Sequence, residues 1–529
     1  MRLPEENWYP ILESHKVRRK PLGFERLGLR LDFWRTADGQ PCAETLRRTL
    51  LIAACVLGIS AASVAFADNP VPAAVPTLGE SLTNDSLVAP RKIEPDLSAQ
   101  IEANKSYAIP ALEIFGFDFL LNQYNRNFIS DEYKSDLSSI RHNLRSSWRV
   151  DNDPFLVNQL GHPYQGSIYH GLARSSGLNY WESLGYTFVG SAFWEVAGET
   201  VPPSRNDQIT TGVGGSFLGE ELYRMANLVL ERDDIRPFWR ELGAAVISPS
   251  TGFNRLAFGD RFDTIFASRN PAYYSRLQIG FSGTARNGSG FSTTRLKRNE
   301  GLIDFSMDYG LPGKPGYRYT RPFDYFNFQV TASSANGFEN MMTRGLLIGK
   351  EYEAGENYRG VWGLYGSYDY IAPQIFRVSS TAVSLGTTGQ WWLSKSVALQ
   401  GTALLGAGYA AVGTTRSTSD TDYHYGVAPQ ALLAMRLIFG NKASFDLTAR
   451  EYFVSGVGAA DRDRHDNIAR IDASITVPIH GRHAITLKYL GNRRDASYSD
   501  IGDSTQSRAT VGLFYTLVGH DGFGAVDWR

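Results

Sequence analysis

The sequence predicts a mixed α+β chain, in which an N-terminal helical block is followed by a C-terminal antiparallel transmembrane β-barrel of about 12 strands. Three observations predict it. An apolar run that ends in a small-x-small triplet occupies Leu50 to Ala67. Apolar residues recur at helical spacing from about 107 to 265, and the period falls to two, in segments of about ten residues, after about 272. Composition agrees: 43% of the 529 residues are hydrophobic and only 20% charged, enough to bury a large core and too little charge for an unfolded chain. A net charge of −1 gives no global field toward nucleic acid, so none is expected as a partner.

Residues 1–67 read as a secretory signal segment. Arg47 and Arg48 precede the apolar run, Ala65-Phe66-Ala67 supplies the cleavage pattern, and Asp68, Asn69 and Pro70 stop any continuing helix. The first 45 or so residues exceed what such a signal needs and read as an over-called start. Ile52, Ala53, Ala54 and Cys55 superficially resemble a lipoprotein box, but too few residues separate them from Arg48 for the apolar core that such signals need. Cys42 and Cys55 both precede the cleavage point, which leaves the exported chain without cysteine and excludes a disulfide scaffold or a cysteine nucleophile. The expected location is the outer membrane of a Gram-negative cell, with membrane lipid and the barrel-assembly machinery as partners.

Residues 68–106, rich in Pro, Ala, Ser, Asn and Asp, read as a flexible leader. Residues 107–270 read as a helical domain, with helices expected at Ile109–Tyr124, Pro154–Arg174, Tyr180–Glu199, Asp207–Glu231 and Ile235–Val246.

Residues 271–529 read as the barrel. Between 468 and 479, Ala469, Ile471, Ala473, Ile475, Val477 and Ile479 share one face, against Arg470, Asp472, Ser474 and Thr476. Val511, Leu513 and Tyr515 oppose Arg508, Thr510 and Thr516. Ile303, Phe305, Met307 and Tyr309 oppose Asp304, Ser306 and Asp308, and Ile485, Leu487 and Tyr489 oppose Thr486 and Lys488. Sandwich strands average five or six residues, whereas these approach the length that spans a bilayer at a tilt. Their polar faces suit a barrel lumen, and Tyr368, Tyr370, Trp391, Trp392, Tyr452 and Phe453 sit at segment ends, as girdle aromatics do. The chain continues about ten residues past Leu517, so either Trp528 serves as the terminal aromatic or the tail folds into the barrel.

Chemistry, if the chain has any, falls between Asn158 and Arg224. Glu195 and Glu199 are four apart in an apolar helix, a like-charged pair that needs a cation, a proton or a basic partner. His162 opens the preceding helix, and Asp207 follows the cap-like run Ser204-Arg205-Asn206. Gly214, Gly215 and Gly219 permit close helix approach just before Glu220, a structural set. His162, Glu195, Glu199 and Asp207 are therefore the candidate catalytic residues. No cofactor is evident; a divalent metal would find its ligands in that set, and its identity is open. The bland alternative pairs these groups with Arg174, Arg205 and Arg224 to fix helices together. No HExxH, GxSxG, phosphate-binding loop or dinucleotide fingerprint occurs at a usable position.

The run HPYQGxxYxxxAR, followed by WExxxE, SxND and GGxxxGE, resembles the uncharacterised Gram-negative envelope family catalogued as domain-of-unknown-function family 3943, over most of residues 107–270. The order of His, Glu, Asp and a Gly-x-x-x-Gly run also resembles the VanZ-like motif, with Thr211 where asparagine is usual and Glu199 where glutamine is common. Neither resemblance implies a known reaction. Two function classes follow: an outer-membrane barrel with a helical plug or periplasmic block, which is structural, pore-like or envelope-organising, and alternatively an outer-membrane hydrolase of lipid or cell-wall material.

Overall fold

A computed structural model describes residues 22–26, 29–35, 41–45, 104–151, 153–289, 298–413, 421–456, 464–499, 502–519 and 522–527. The expected signal run at 50–67, most of the leader, and Trp528 lie outside the described residues. The chain divides into two compact units, Met1–Val56 and Leu57–Arg529. In the first, β1 (Leu22–Arg26), β2 (Leu29–Arg35) and β3 (Pro41–Thr45) form an antiparallel sheet that the sequence reading did not anticipate.

The second unit begins with helices. They are α1 (Ala108–Phe128), α2 (Leu137–Asn143), α3 (His162–Ser175), α4 (Tyr180–Phe193), α5 (Arg205–Ile209), α6 (Gly215–Leu230), α7 (Pro237–Ile247) and α8 (Pro249–Phe258). Asn179 caps α4 through a capping box with Glu182, and Asp136 does the same for α2 with Ser139. Three expected continuous helices are interrupted by π turns at Val157–Gly161, Trp194–Gly198 and Thr210–Gly214.

Twelve strands follow, the number expected: β4 (Tyr273–Ser289), β5 (Asn299–Tyr309), β6 (Phe326–Ser333), β7 (Gly337–Ala354), β8 (Tyr358–Ile371), β9 (Arg377–Ser394), β10 (Val397–Gly413), β11 (Tyr423–Phe439), β12 (Ala443–Val454), β13 (His465–His480), β14 (His483–Ser497) and β15 (Ser504–Val518). Each pairs antiparallel with its neighbours, and β15 pairs with β4 to close the barrel. At one end, here the turn end, four hairpins close within two or three residues, at 355–357, 395–396, 440–442 and 481–482. The 16-residue segment 310–325 between β5 and β6 is the exception at that end, and the opposite, loop end carries connections of 3 to 10 residues.

The lumen is filled. Arg276–Asp446 (3.1 Å), Arg436–Asp308 (3.0 Å), Arg450–Asp369 (2.9 Å), Arg494–Asp466 (2.7 Å) and Arg508–Glu300 (2.7 Å) cross it or line it. The space left among Arg276, Asp308, Arg436 and Arg450 is about 90 Å³. At the turn end the tail folds in: Phe523 and Val526 pack with Tyr274, Ala398 and Ile438, and the Val526 carbonyl accepts from Gln390 and Trp392. At the loop end Ile375 and Phe376 pack on Ile371, Val412, Tyr452 and Ile468. The girdle expectation is thereby corrected for Trp392 and Tyr452. Both point inward, Tyr452 donating to Asp369, because tail and lumen carboxylate offer partners for their polar atoms.

Strand parity places the helical domain. In β8, Ser367 and Asp369 meet Gln430 and Arg450 across the lumen, so Gly366 and Tyr368 face outward. Phe217 lies over Gly366, Gly214 lies against Thr381 and Tyr368, and the Tyr368 hydroxyl donates to the Gln159 carbonyl. The helices thus stand against the outside of the wall. A plug inside the barrel does not match this packing: the lumen is occupied by its own ion pairs and the tail, and the surface free to bury α6 is the outer one. All 16 residues of α6 are buried, between strands β7 and β8 on one side and α3 on the other. Phe305, Met307, Phe328 and Val330, outward on β5 and β6, are buried too, whereas Leu513, Ile475 and Leu433 on the far wall are exposed.

Candidate functional site

The helical domain holds two buried polar networks, set side by side by a tight helix crossing. A Cβ on Gly215 would lie 2.6 Å from the Gly166 Cα, and one on Gly219 would lie 2.9 Å from the Ser167 carbonyl oxygen, so α3 and α6 meet backbone to backbone. Gly215 and Gly219 stand at that contact, whereas Gly214 lies against Thr381 and Tyr368 of the barrel wall.

The first network centres on Glu220. Arg174 Nε (2.7 Å), Arg224 Nε (2.8 Å) and His170 Nε2 (3.1 Å) all reach its carboxylate. Arg224 continues to Asp324 (3.0 Å) and to the Pro322 carbonyl (2.6 Å), which ties α6 to the segment between β5 and β6. Arg174, Arg224 and Arg321 stack around Phe266 at 4.8, 5.2 and 4.3 Å. Burial opposes ionisation of Glu220, but Arg174, with His170 and Arg224, overcomes it and holds the carboxyl below its usual range. Burial lowers His170, so it reads as a neutral imidazole.

The second network lies toward the loop end and contains all four candidates. His162 Nε2 is 3.8 Å from Asp207 Oδ2, the Ser204 N–H donates to Glu195 Oε2 (2.8 Å), and Trp194 Nε1 donates to Glu199 Oε1 (2.8 Å). The expected single helical face for the two glutamates is corrected. Glu195 sits in the π turn, and Glu199 ends it in extended conformation at φ −126° and ψ 159°. The side chains still converge, because the chain reverses at Pro202-Pro203 and brings Ser204 and Asp207 back over them.

Sequence reading missed several members. Asn206 Nδ2 bridges Asp151, Asp207 (3.0 Å) and the Tyr425 hydroxyl (2.8 Å). Asn158 Nδ2 donates to Asp151 (2.8 Å) and Tyr423 (2.9 Å), and the Tyr423 hydroxyl donates to the Asp153 carbonyl (2.7 Å). The Val-Asp-Asn-Asp-Pro run at 150–154 was a readable signal for the two aspartates. Nothing local marked the two tyrosines, which stand on the outer face of β11.

The electrostatics of the two networks differ. Arg174 and Arg224 bind Glu220, not the candidate acids, so the pairing expected by the bland alternative is corrected; Arg205 stays exposed. Burial, then Asp207 and Glu199, raises Glu195 well above the usual carboxylate range. Burial, then Asp151, does the same for Asp207. Burial pushes Glu199 up to about 8 even though His162 pulls the other way. Burial and mutual repulsion thus favour the protonated form of these carboxyls, and the arrangement is a set of acids held toward neutrality beside His162. Among the described residues, no three His, Cys, Asp or Glu side chains adopt a geometry that could hold a metal. All three π turns of the domain abut this network: Asn158 and Gln159 lie in the first, Glu195 in the second, and Thr210 and Thr211, just past Asp207, in the third.

Fold and site define a class: a closed, filled twelve-stranded barrel carrying a helical domain on its outer wall, with a neutral-acid cluster at their junction. Residues 147–250, which include both networks' helical members, match the family described as Domain of unknown function (DUF3943), a narrower span than the 107–270 expected. No curated protein matches the sequence. Similar solved structures include the NanC porin, at 6% identity over 45% of this chain and 98% of that one, TM-score 0.24. Others are the outer membrane channel DcaP of Acinetobacter baumannii (8%, 46% and 96%, TM-score 0.21) and the Pseudomonas putida toluene transporter TodX (7%, 48% and 90%, TM-score 0.21). Likeness at these scores carries no functional argument.

Proposed function

We propose that this chain is an outer-membrane protein, exported through a signal cleaved near Ala67 and inserted by the barrel-assembly machinery, whose barrel is an anchoring wall and whose working part is the helical domain docked outside it. The observation that carries this reading is the filled lumen. Ion pairs cross its middle, and apolar clusters that include Phe523 and Phe376 close its two ends. That filling speaks against the pore-like variant and leaves an envelope-organising role. Reconstituted in planar bilayers, the purified protein is expected to give no single-channel steps. Stable, reproducible conductance would overturn the anchoring-wall reading.

One observation favours a second reading, the hydrolase. Three π turns assemble neutral carboxyls beside His162 in a low-dielectric setting, the state in which a carboxyl acts as general acid and an imidazole as base. With purified lipids and cell-wall fragments as substrates, His162→Ala is expected to abolish turnover while the barrel keeps its heat-modifiable migration. Undiminished turnover in that variant would remove His162 from the chemistry.

A further inference from the structure

Helix α1 is inside out. Its buried positions are Pro110, Ile114, Asp118 and Asn122, and its exposed ones include Leu112, Phe119, Leu120 and Phe128. A helix on a water-facing domain buries its apolar stripe and shows its polar one. Polar side chains turned to the protein and apolar ones turned away belong to a helix surrounded by hydrocarbon. Two of the inward polar groups bond within the protein: Asn122 Nδ2 donates to the Tyr133 (2.8 Å) and Gly198 (2.7 Å) carbonyls, and Asp118 accepts from Tyr169.

The exposed apolar face continues past α1. Phe115 meets Phe193 of α4 at 5.4 Å, and on α8 Leu256 is 87% exposed beside Phe253. It also continues into the barrel. The strands whose outer face the helices cover toward the loop end carry exposed Ile348, Trp362 and Leu385 nearer the turn end. Covered and open wall thus share the same strands. Helix α6 crosses the outer wall from Gly214, beside Tyr368 and Thr381, to Arg224, beside Asp324, a rise of about 15 Å. No helix of the described residues is long and apolar enough to cross a membrane by itself; here the strands cross and the helices lie against them.

We propose that the helical domain lies beside the barrel at the depth of the hydrocarbon layer, with the outer faces of α1, α4 and α8 in contact with lipid acyl chains. The inference rests on the outer-membrane reading above and names lipid as what surrounds the working domain.

Single cysteines test it, in a chain carrying Cys42→Ser and Cys55→Ser. Leu120→Cys, Phe119→Cys and Leu256→Cys, each labelled with an environment-sensitive fluorophore, are compared in vesicles with and without lipids brominated on the acyl chain. Leu513→Cys on the open wall and Ser396→Cys in the exposed 395–396 hairpin are the references, and heat-modifiable migration certifies folding of each. The expected result is strong loss of fluorescence at Leu120, Phe119, Leu256 and Leu513, and none at Ser396. Quenching at Leu513 alone would overturn the inference while leaving the membrane reading standing, because the helical face would then be covered by protein or water. No quenching at Leu513 would overturn both.

Discussion

Two polar networks share one helical domain, and nearly every member of both is buried, yet they are built on opposite principles. Around Glu220, arginines outnumber carboxylates and each charge meets an opposite one within 2.7 to 3.1 Å. Around Glu195, Glu199 and Asp207, carboxyls gather with Asp151 and only His162 as a basic neighbour. The first arrangement needs nothing more to be stable and welds α3, α6 and the segment before β6. The second is stable only while its acids keep their protons, so its state follows pH. A protein does not need three π turns to hold helices together, and all three lie at the second network.

The largest expected effect comes from breaking the balanced network. Glu220→Gln strands Arg174 and Arg224 as buried, partly uncompensated charges and should cost about 3–5 kcal/mol. Limited proteolysis should then cut the helical domain while the barrel keeps its heat-modifiable migration. A variant as resistant as the parent would show that the network is not the weld. Next comes the seam between the two networks. Gly215→Val forces α3 and α6 apart at a backbone contact and should destabilise by about 1–3 kcal/mol, read in the same assay; Gly116→Ala, with open space around it, is the matched control.

The smallest effect, in acid, is expected at the unbalanced network, and its size depends on pH. Glu199 is raised from 4.5 to about 8 by burial, so the folded domain favours its protonated form. The corresponding stabilisation is complete below pH 4.5 and is lost as pH rises through 8. Glu199→Gln mimics the protonated acid and keeps an acceptor for Trp194, so at pH 4 it should change stability by less than about 1 kcal/mol. At pH 9 the parent should be cleaved faster than the variant. Equal pH profiles for the two would show that Glu199 is ionised in the folded state, and the contrast between the networks would fail.

The site was half legible. His162, Glu195, Glu199 and Asp207 stood out because ionisable groups in an apolar helical run demand a partner, whatever the fold. Which partner each one takes was not legible. Arg174 and Arg224 were available in the sequence to either set of acids, and the α3–α6 crossing at Gly166 and Gly215 delivered both to Glu220. The π turns were invisible as well. The runs containing Asn158, Glu195 and Thr210 keep helical periodicity, and one extra residue in a turn leaves no compositional mark.

By itself the sequence determined the barrel class: about a dozen antiparallel strands, with the facing of side chains in the regularly alternating runs, since a slip of one residue would reverse every face. It assigned Ile303, Phe305, Met307 and Tyr309 to the outer face as firmly as Val511, Leu513 and Tyr515. Only the tertiary structure decided that most of the first set lies buried while the second lies open. The reason is physical. An apolar side chain leaves water with nearly the same gain whether it enters lipid or packs under a helix, so the alternation that builds the wall carries no record of what leans against it.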